Sequence, residues 1–381
     1  MTNLERSISI CLIILISFFM FALPVNSSEK NIHIVELKEL LRIEDSGMDF
    51  YFKYPDAPLI DNRGAMYVLD DKQLLKFDKS GKFIENYLKE GLGPGEANSS
   101  REVIIQGDYF ILYNLHPSKF LWFDQTDGTL KKEIRLSDKL GYSNFLSYYN
   151  NKYFFIREAF PRTRNKAVFV DIKVKLLSYN LDSKTFADEN LFYLKKYFLS
   201  ISDNHSSVKN VNFVQICKIN EHTILIANTG NYEVQRLDLN KMKLSPFIKR
   251  EYKKVLVKKE WEKHFHTFRF SHTGIKGKEF KTWIKQNLDD IQKIYTFGSK
   301  IWIVTSTFDE TTRLVNTDVF DFNGKYIDTF LLKLPEKMLL CRINISQMRL
   351  HKNHLFIIEQ NDDGDFELAK YRLINIPGWA K

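Results

Sequence analysis

The chain of 381 residues carries 56 Lys and Arg against 47 Asp and Glu, a formal charge of +9, with 44% hydrophobic residues and 31 Phe, 18 Tyr and 5 Trp. That hydrophobicity is too high for a disordered chain. Its 3 cysteines are too few for a disulfide-stapled miniprotein, and one long apolar run excludes a multi-pass membrane protein. Length alone predicts two or three domains, although closed all-β architectures of this size are often one domain.

In chain order, Arg6 ends a short polar start, Ile8 to Leu23 is almost wholly apolar, and Pro24-Val25-Asn26-Ser27 supplies small residues for cleavage. Residues 1–27 therefore read as a signal peptide cut after Ser27. The rival reading is an uncleaved N-terminal anchor, because the apolar stretch sits at the short edge of a bilayer span. Cys11 follows Ile10 inside the apolar run, which disfavours lipidation. The protein is expected to be exported: periplasmic, at the cell surface or extracellular. A membrane contact is expected only if the leader stays as an anchor.

The lysines are scattered, with no block of five or more basic residues, so the basic surplus reads as a solvated surface and no nucleic-acid partner is expected. Cys217 and Cys341 each sit in an apolar strand-like run. A disulfide and two buried thiols both remain open.

Ile32 to Leu37 reads as a strand with no repeat unit of its own. A repeat then begins: Met66 to Asp70, a polar turn, Gln73 to Asp78, and the turn Lys79-Ser80-Gly81-Lys82 into Phe83-Ile84. Similar units start near Phe110, Tyr153, Thr223, Ile301 and Leu355, at intervals of about 44, 43, 70, 78 and 54 residues. The first two intervals match the roughly 40–50 residues of one four-stranded propeller blade.

Turn chemistry supports the strands. Asp78 to Gly81, Asp124 to Gly128 and Asp321 to Gly324 each place an acceptor side chain first and a glycine last. Asp182-Ser183-Lys184 and Asn240-Lys241 hold the same place without glycine. In Leu121-Trp122-Phe123 and Ile301-Trp302-Ile303-Val304 apolar residues fill both faces, as a sheet sandwiched between two neighbours requires.

Six units are expected in one all-β domain over 31–376, a six-bladed β-propeller in which the first strand completes the last blade. The excess length is assigned to insertions near 187–210 and 249–289. Val255, Trp261, Phe265 and Phe268, then Phe280, Trp283, Ile284 and Leu288, recur at roughly helical spacing. A helical insertion near 250–290 is therefore expected as a flap over one mouth of the ring. A poorly formed seventh blade in the same place is the alternative.

Ala57 to Glu96 resembles exported six-bladed β-propeller proteins of the NHL-like type. The shared features are the Asp61-Asn62-Arg63-Gly64 turn, the Val68-Leu69-Asp70 strand end, the Lys76 to Phe83 hairpin, and Gly91-Leu92-Gly93-Pro94-Gly95-Glu96, which looks like the family's inter-blade loop. The resemblance is strong over 50–135, moderate over 290–375 and weak between 140 and 290. It implies the propeller fold, export, and binding of a ligand or partner.

Chemical motifs are sparse. Gly91 to Gly95 is followed by no Lys-Ser or Lys-Thr, so it reads as a stiff crossing between blades and not as a phosphate cradle. His264, His266 and His272 form the best metal-like cluster, but no carboxylate or thiol completes it. His351 and His354 flank a turn. Asn361 to Asp365 is rich in oxygen ligands yet sits where the repeat demands a hairpin.

No Gly-x-Ser-x-Gly elbow or reactive cysteine setting is present, and no matched set of acids, amides or histidines stands at equivalent blade positions. No catalytic residue, metal ligand or cofactor is assigned. Arg157, Arg162, Arg164 and Arg313 are the candidate ligand contacts. The expected function is a non-catalytic binding module for a protein, peptide or glycan. The alternatives are a metal-dependent hydrolase or lyase with an axial site, and a binder of anionic polymers.

Overall fold

The computed structural model describes residues 32–45, 49–98, 100–136, 143–159, 168–202, 205–210, 214–264, 268–271, 280–283, 285–338, 340–345 and 347–381. The body from 33 to 381 is built almost wholly of strands. Among the described residues no helix is long and apolar enough to cross a membrane.

The strands form six antiparallel blades. Blade 1 is Leu59–Ile60, Met66–Asp70, Gln73–Phe77 and Phe83–Asn86; blade 2 is Ser100–Gln106, Tyr109–Asn114, Lys119–Asp124 and Leu130–Arg135. Blade 3 is Ser143–Tyr149, Lys152–Ala159, Val168–Asn180 and Thr185–Ser202, with a fifth strand, His205–Asn210. Blade 4 is Val214–Asn220, Thr223–Asn228, Glu233–Asp238 and Lys243–Lys249; blade 5 is Ile291–Phe297, Lys300–Asp309, Leu314–Asp321 and Tyr326–Lys333.

Blade 6 has three strands from the C-terminal part, Met348–His351, His354–Gln360 and Phe366–Ile374, and its fourth is Ile34–Ile43. That strand runs antiparallel to Phe366–Ile374, with Leu37 opposite Leu373. At its start it also runs parallel to the outer strand of blade 5, with Ile34 opposite Leu331. The expected closure by the first strand is what the register records.

Alternation of side chains builds the cores. In the second strand of blade 2, Phe110 and Leu112 pack with Tyr67 and Leu74 of blade 1, while Ile111 and Tyr113 pack with Phe145 and Phe155 of blade 3. The same sharing joins blades 3 and 4, 4 and 5, 5 and 6, and finally 6 and 1, where Phe356 and Leu368 meet Val68 and Phe77. Each blade thus has two oily faces and hides neither alone. Full burial of one such side chain contributes about 1.5–3 kcal/mol.

The turns follow the sequence chemistry. Asp78 accepts the N–H groups of Ser80 and Lys82 at 2.8 and 3.0 Å, and Asp321 accepts those of Asn323 and Lys325 at 2.9 Å each. Gly81 supplies the positive φ of 89° that closes the first of these. In the inter-blade loop the Glu96 carboxylate accepts the Gly93 N–H at 2.8 Å. The fully buried Lys119 donates to the Gly93 carbonyl at 2.7 Å. This loop is a latch between blades 1 and 2.

Among the described residues the helical insertion expected near 250–290 is not found. Its described residues form a 3-10 turn at Lys259–His264 and a two-stranded hairpin, Phe268–Ser271 with Phe280–Trp283. Val255 and Leu288 are joined by a backbone hydrogen bond of 2.8 Å, and Val257 and Gln286 by one of 2.9 Å. Extended chain therefore lies against extended chain. Val255 and Val257 share one side and pack with Trp261 and Leu288, so the local period is two, and the helical spacing arose from splicing this pair to the aromatic turn. The excess near 187–210 is extended too, within the 18-residue strand Thr185–Ser202 and the strand His205–Asn210.

Candidate functional site

The innermost strand of each blade faces a common axis, and together they enclose a cavity of about 520 Å³. Its wall mixes polar and aliphatic side chains, with Ile104, Ile216 and Leu350 among the latter. Alternation explains the rest. Along Val214–Asn220, Cys217 and Ile219 pack into the core between blades 4 and 5, whereas Ile216 and Lys218 are exposed to the lumen.

Four inner strands place a charged side chain on this wall: Glu102 in blade 2, Lys218 in blade 4, Lys293 in blade 5 and Arg349 in blade 6. Asp56, on the chain entering blade 1, joins them electrostatically through Arg349. The hairpin registers set their heights. Glu102 lies opposite Tyr113 where the inner hairpin closes at Gln106 and Tyr109, and Lys293 lies opposite Val304 where the closure is Phe297 and Lys300. These two share a level. Arg349, opposite Phe356, and Tyr295, opposite Trp302, share a second level nearer the hairpin mouth.

Lys218 and Arg349 are exposed to the lumen, Glu102 and Lys293 are half-buried in its wall, and the surrounding protein shifts their acidities. Burial, helped by the charge of Asp56, pushes the Glu102 carboxyl up to about 8 against the opposing pull of Lys218, Arg349 and the Phe145 backbone N–H. Burial and the nearby Arg349 bring Lys293 down to about 8. Lys218 and Arg349 are lowered mainly by burial, and Asp56 is raised to about 6 by burial despite Arg349. Near neutral pH Glu102 is therefore a neutral acid beside three bases.

Hydrogen bonding is incomplete. Among the described residues the buried Glu102 Oε2 and Tyr295 hydroxyl have no partner. No ion pair there joins Lys218, Lys293 or Arg349 to a carboxylate. Buried polar atoms are normally satisfied, so a cluster of unsatisfied ones on a cavity wall asks for an occupant. Elsewhere in the ring, Asp318 accepts from Tyr232 at 2.6 Å and from Arg250 at 2.7 Å, and Lys254 reaches both oxygens of Asp290.

Of the arginines singled out in the sequence, Arg157 and Arg313 lie in different blades. Arg157 lies in the second strand of blade 3, opposite Ser143 and Lys175. Arg313 lies in the outer turn of blade 5 with φ of 62°, and its guanidinium donates to the carbonyls of Pro335 and Met338. Arg162 and Arg164 lie outside the described residues, as do His266 and His272. His264 ends the 3-10 turn. His351 and His354 face each other across the inner hairpin of blade 6. Asn361 makes a hairpin turn, accepting the N–H groups of Asp363 and Asp365 at 3.1 and 2.9 Å. Among the described residues no group of three or more His, Cys, Asp or Glu is placed to hold a metal ion. Cys217 and Cys341 are free thiols, the first with its acidity weakened to about 11 by burial.

With six blades around one axis, the architecture and the sequence agree. The sequence model of a family described as 6-bladed beta-propeller matches residues 58–261. The chain belongs to this family. No curated protein sequence matches it. Among solved structures the propeller is similar to a candidate exported protein from Bacteroides fragilis, at 13% identity over 92% of this chain and 97% of that one, with a TM-score of 0.51. It is also similar to a gluconolactonase from Xanthomonas campestris, at 10% identity over 85% of this chain and 87% of that one, with a TM-score of 0.42. At these identities the likeness concerns the fold alone.

Sequence reasoning missed the axial set of the propeller because each member is one charged residue in an apolar strand. A signal was nevertheless present. Glu102, Lys218, Lys293 and Arg349 each precede the second strand of their unit, which starts near Phe110, Thr223, Ile301 and Leu355, by five to eight residues. Asking which inner strands carry an ionisable side chain would have gathered them.

Proposed function

We propose that this propeller is an exported binding protein that takes a small ligand, or the end of a peptide or glycan chain, into its axial channel without a catalytic step. The observation that carries the reading is the polar set on the channel wall: Glu102 and Tyr295, each with a buried oxygen that has no partner among the described residues, beside Lys293, Lys218 and Arg349. A cavity of this size suits a small-molecule site, where a few polar groups on an apolar wall fix orientation. Export is supported by the leader read over residues 1–27 and by the candidate exported protein from Bacteroides fragilis that shares the fold. Attachment to a membrane follows only if that leader is retained.

Crystals bathed in a mixed library of neutral and charged fragments test the site. Fragments are expected in the channel, and Ile216→Trp, which fills the lumen from a side chain 43% exposed, is expected to exclude them. An empty channel beside fragments bound elsewhere would sink this reading.

A further inference from the structure

Three bases and one acid line the channel, with Asp56 acting on them through Arg349, and the balance between them says what kind of occupant fits. Lys218, Lys293 and Arg349 come from three consecutive blades, 4, 5 and 6, and so form an arc on one side of the lumen. Glu102 faces that arc from blade 2, level with Lys293. No carboxylate among the described residues pairs with any of the three bases. A cleft lined by one sign of charge attracts ligands of the other; Lys218 and Arg349 are exposed to this lumen and Lys293 is half-buried in its wall.

Resting on the reading of the channel as a binding site, we propose that its ligand is a small organic oxyanion, a carboxylate or a phosphate monoester, held by Lys218, Lys293 and Arg349 with its apolar body against Ile104, Ile216 and Leu350. The planar guanidinium of Arg349 suits two oxygens of such a head group, and the lysines of blades 5 and 4 supply point charges along the same arc. In its neutral form Glu102 adds a donor instead of a repelling charge, and the Tyr295 hydroxyl adds another. The enclosed volume holds a drug-sized molecule, which favours a compact anion over a long polyanion.

The pH response follows from Glu102, Lys218, Lys293, Tyr295, Arg349 and His351 on the lumen wall, with Asp56 acting through Arg349 and Cys217 turned into the core between blades 4 and 5. Loss of the protons on Glu102 and Lys293, both near 8, removes a donor and a charge and adds a repelling one. Oxyanion affinity should therefore hold below neutrality and fall at least tenfold between pH 7 and pH 9.

Calorimetric titration of the purified full chain with 4-nitrobenzoate, 4-nitrophenyl phosphate and the neutral 4-nitrobenzamide tests the proposal. The two anions separate a carboxylate site from a phosphate site. The expected result is 1:1 binding of at least one anion, at least tenfold weaker binding of the amide, and at least tenfold loss in Lys293→Met and Arg349→Leu. Glu102→Gln should keep the affinity at pH 7 and flatten the fall above pH 8. Circular dichroism and thermal melts first match each variant to the parent, and Arg349→Lys replaces any Arg349→Leu protein that fails to fold. Equal binding of the amide, or anion binding unmoved by both base substitutions, overturns the oxyanion assignment while leaving the channel as a site. Failure of both anions to bind, in a channel that fragments do enter, overturns it as well. A channel that nothing enters removes both readings.

Discussion

Val35 on the first strand of the body stands opposite Leu332 on the outer strand of blade 5, while two residues later Leu37 stands opposite Leu373 on blade 6. One strand thus seals the gap between neighbouring blades from both sides, and its Val35 side chain is 0% exposed within the core they share. Val35→Asp would place a carboxylate in that seam and should cost about 3–5 kcal/mol. Leu40→Ala on the same strand, at a side chain 46% exposed, should stay within about 0.5 kcal/mol. Urea unfolding of the two variants checks the contrast.

Phe120 of blade 2 stacks on Tyr153 of blade 3 with ring centroids 4.0 Å apart, and the Tyr153 hydroxyl accepts the Trp122 indole N–H at 3.0 Å. Phe120→Ala should cost about 3–5 kcal/mol through the cavity it leaves. Tyr153→Phe keeps the stack and orphans one donor, for about 1 kcal/mol. Equal losses in denaturant titrations would contradict a packing-dominated contact.

Gly128 and Gly107 separate strain from collision. Both hold positive φ, 67° and 55°, but a Cβ on Gly128 would come within 2.2 Å of the Tyr87 ring, whereas one on Gly107 meets nothing within 4 Å. Gly107→Ala should cost about 1 kcal/mol for the backbone alone. Gly128→Ala should cost at least about 1–3 kcal/mol more, by the overpacking it forces, as read from melting curves.

Stability should depend on pH through the channel. The Glu102 carboxyl stands at about 8 in the folded chain, above its ordinary value near 4.3. Its contribution is therefore complete at acid pH and is lost as pH rises towards 8, and Asp56 acts the same way up to about 6. Lys293 is lowered instead, so its contribution is present above its ordinary range near 10.4 and is lost as pH falls through about 8. Glu102→Gln should then stabilise the chain at pH 7 by about 1–3 kcal/mol, discounted for solvent in the lumen, and by nothing at pH 4. Denaturation at the two pH values reads the difference.

The blades were legible because their signals are local. Asp78 with Gly81 and Asp321 with Gly324 mark tight turns, and runs such as Ile301 to Val304 mark strands oily on both sides. The role of Ile34–Ile43 was legible too, since a strand without a unit of its own and a last unit one strand short imply each other. The stretch around Val255 was not, because period two over a few residues next to an aromatic turn imitates a helix until its partner strand near Leu288 is known. The axial set was hidden for a different reason: Glu102 and Lys293 are far apart in sequence and come to one level on facing sides of the lumen only after the ring closes.

The strand shared between blades 5 and 6 also orders events in time. Its partners, Tyr326–Lys333 and Phe366–Ile374, are the last long strands to be synthesised. Until they emerge, the earliest strand must wait with both hydrogen-bonding edges bare, and such edges invite pairing with other chains. Joining the two extremes of the polypeptide is a contact of very high sequence separation, which makes the final step of assembly slow. A nascent chain halted before Phe366 should therefore be the species that a holdase captures, and the finished one should escape it.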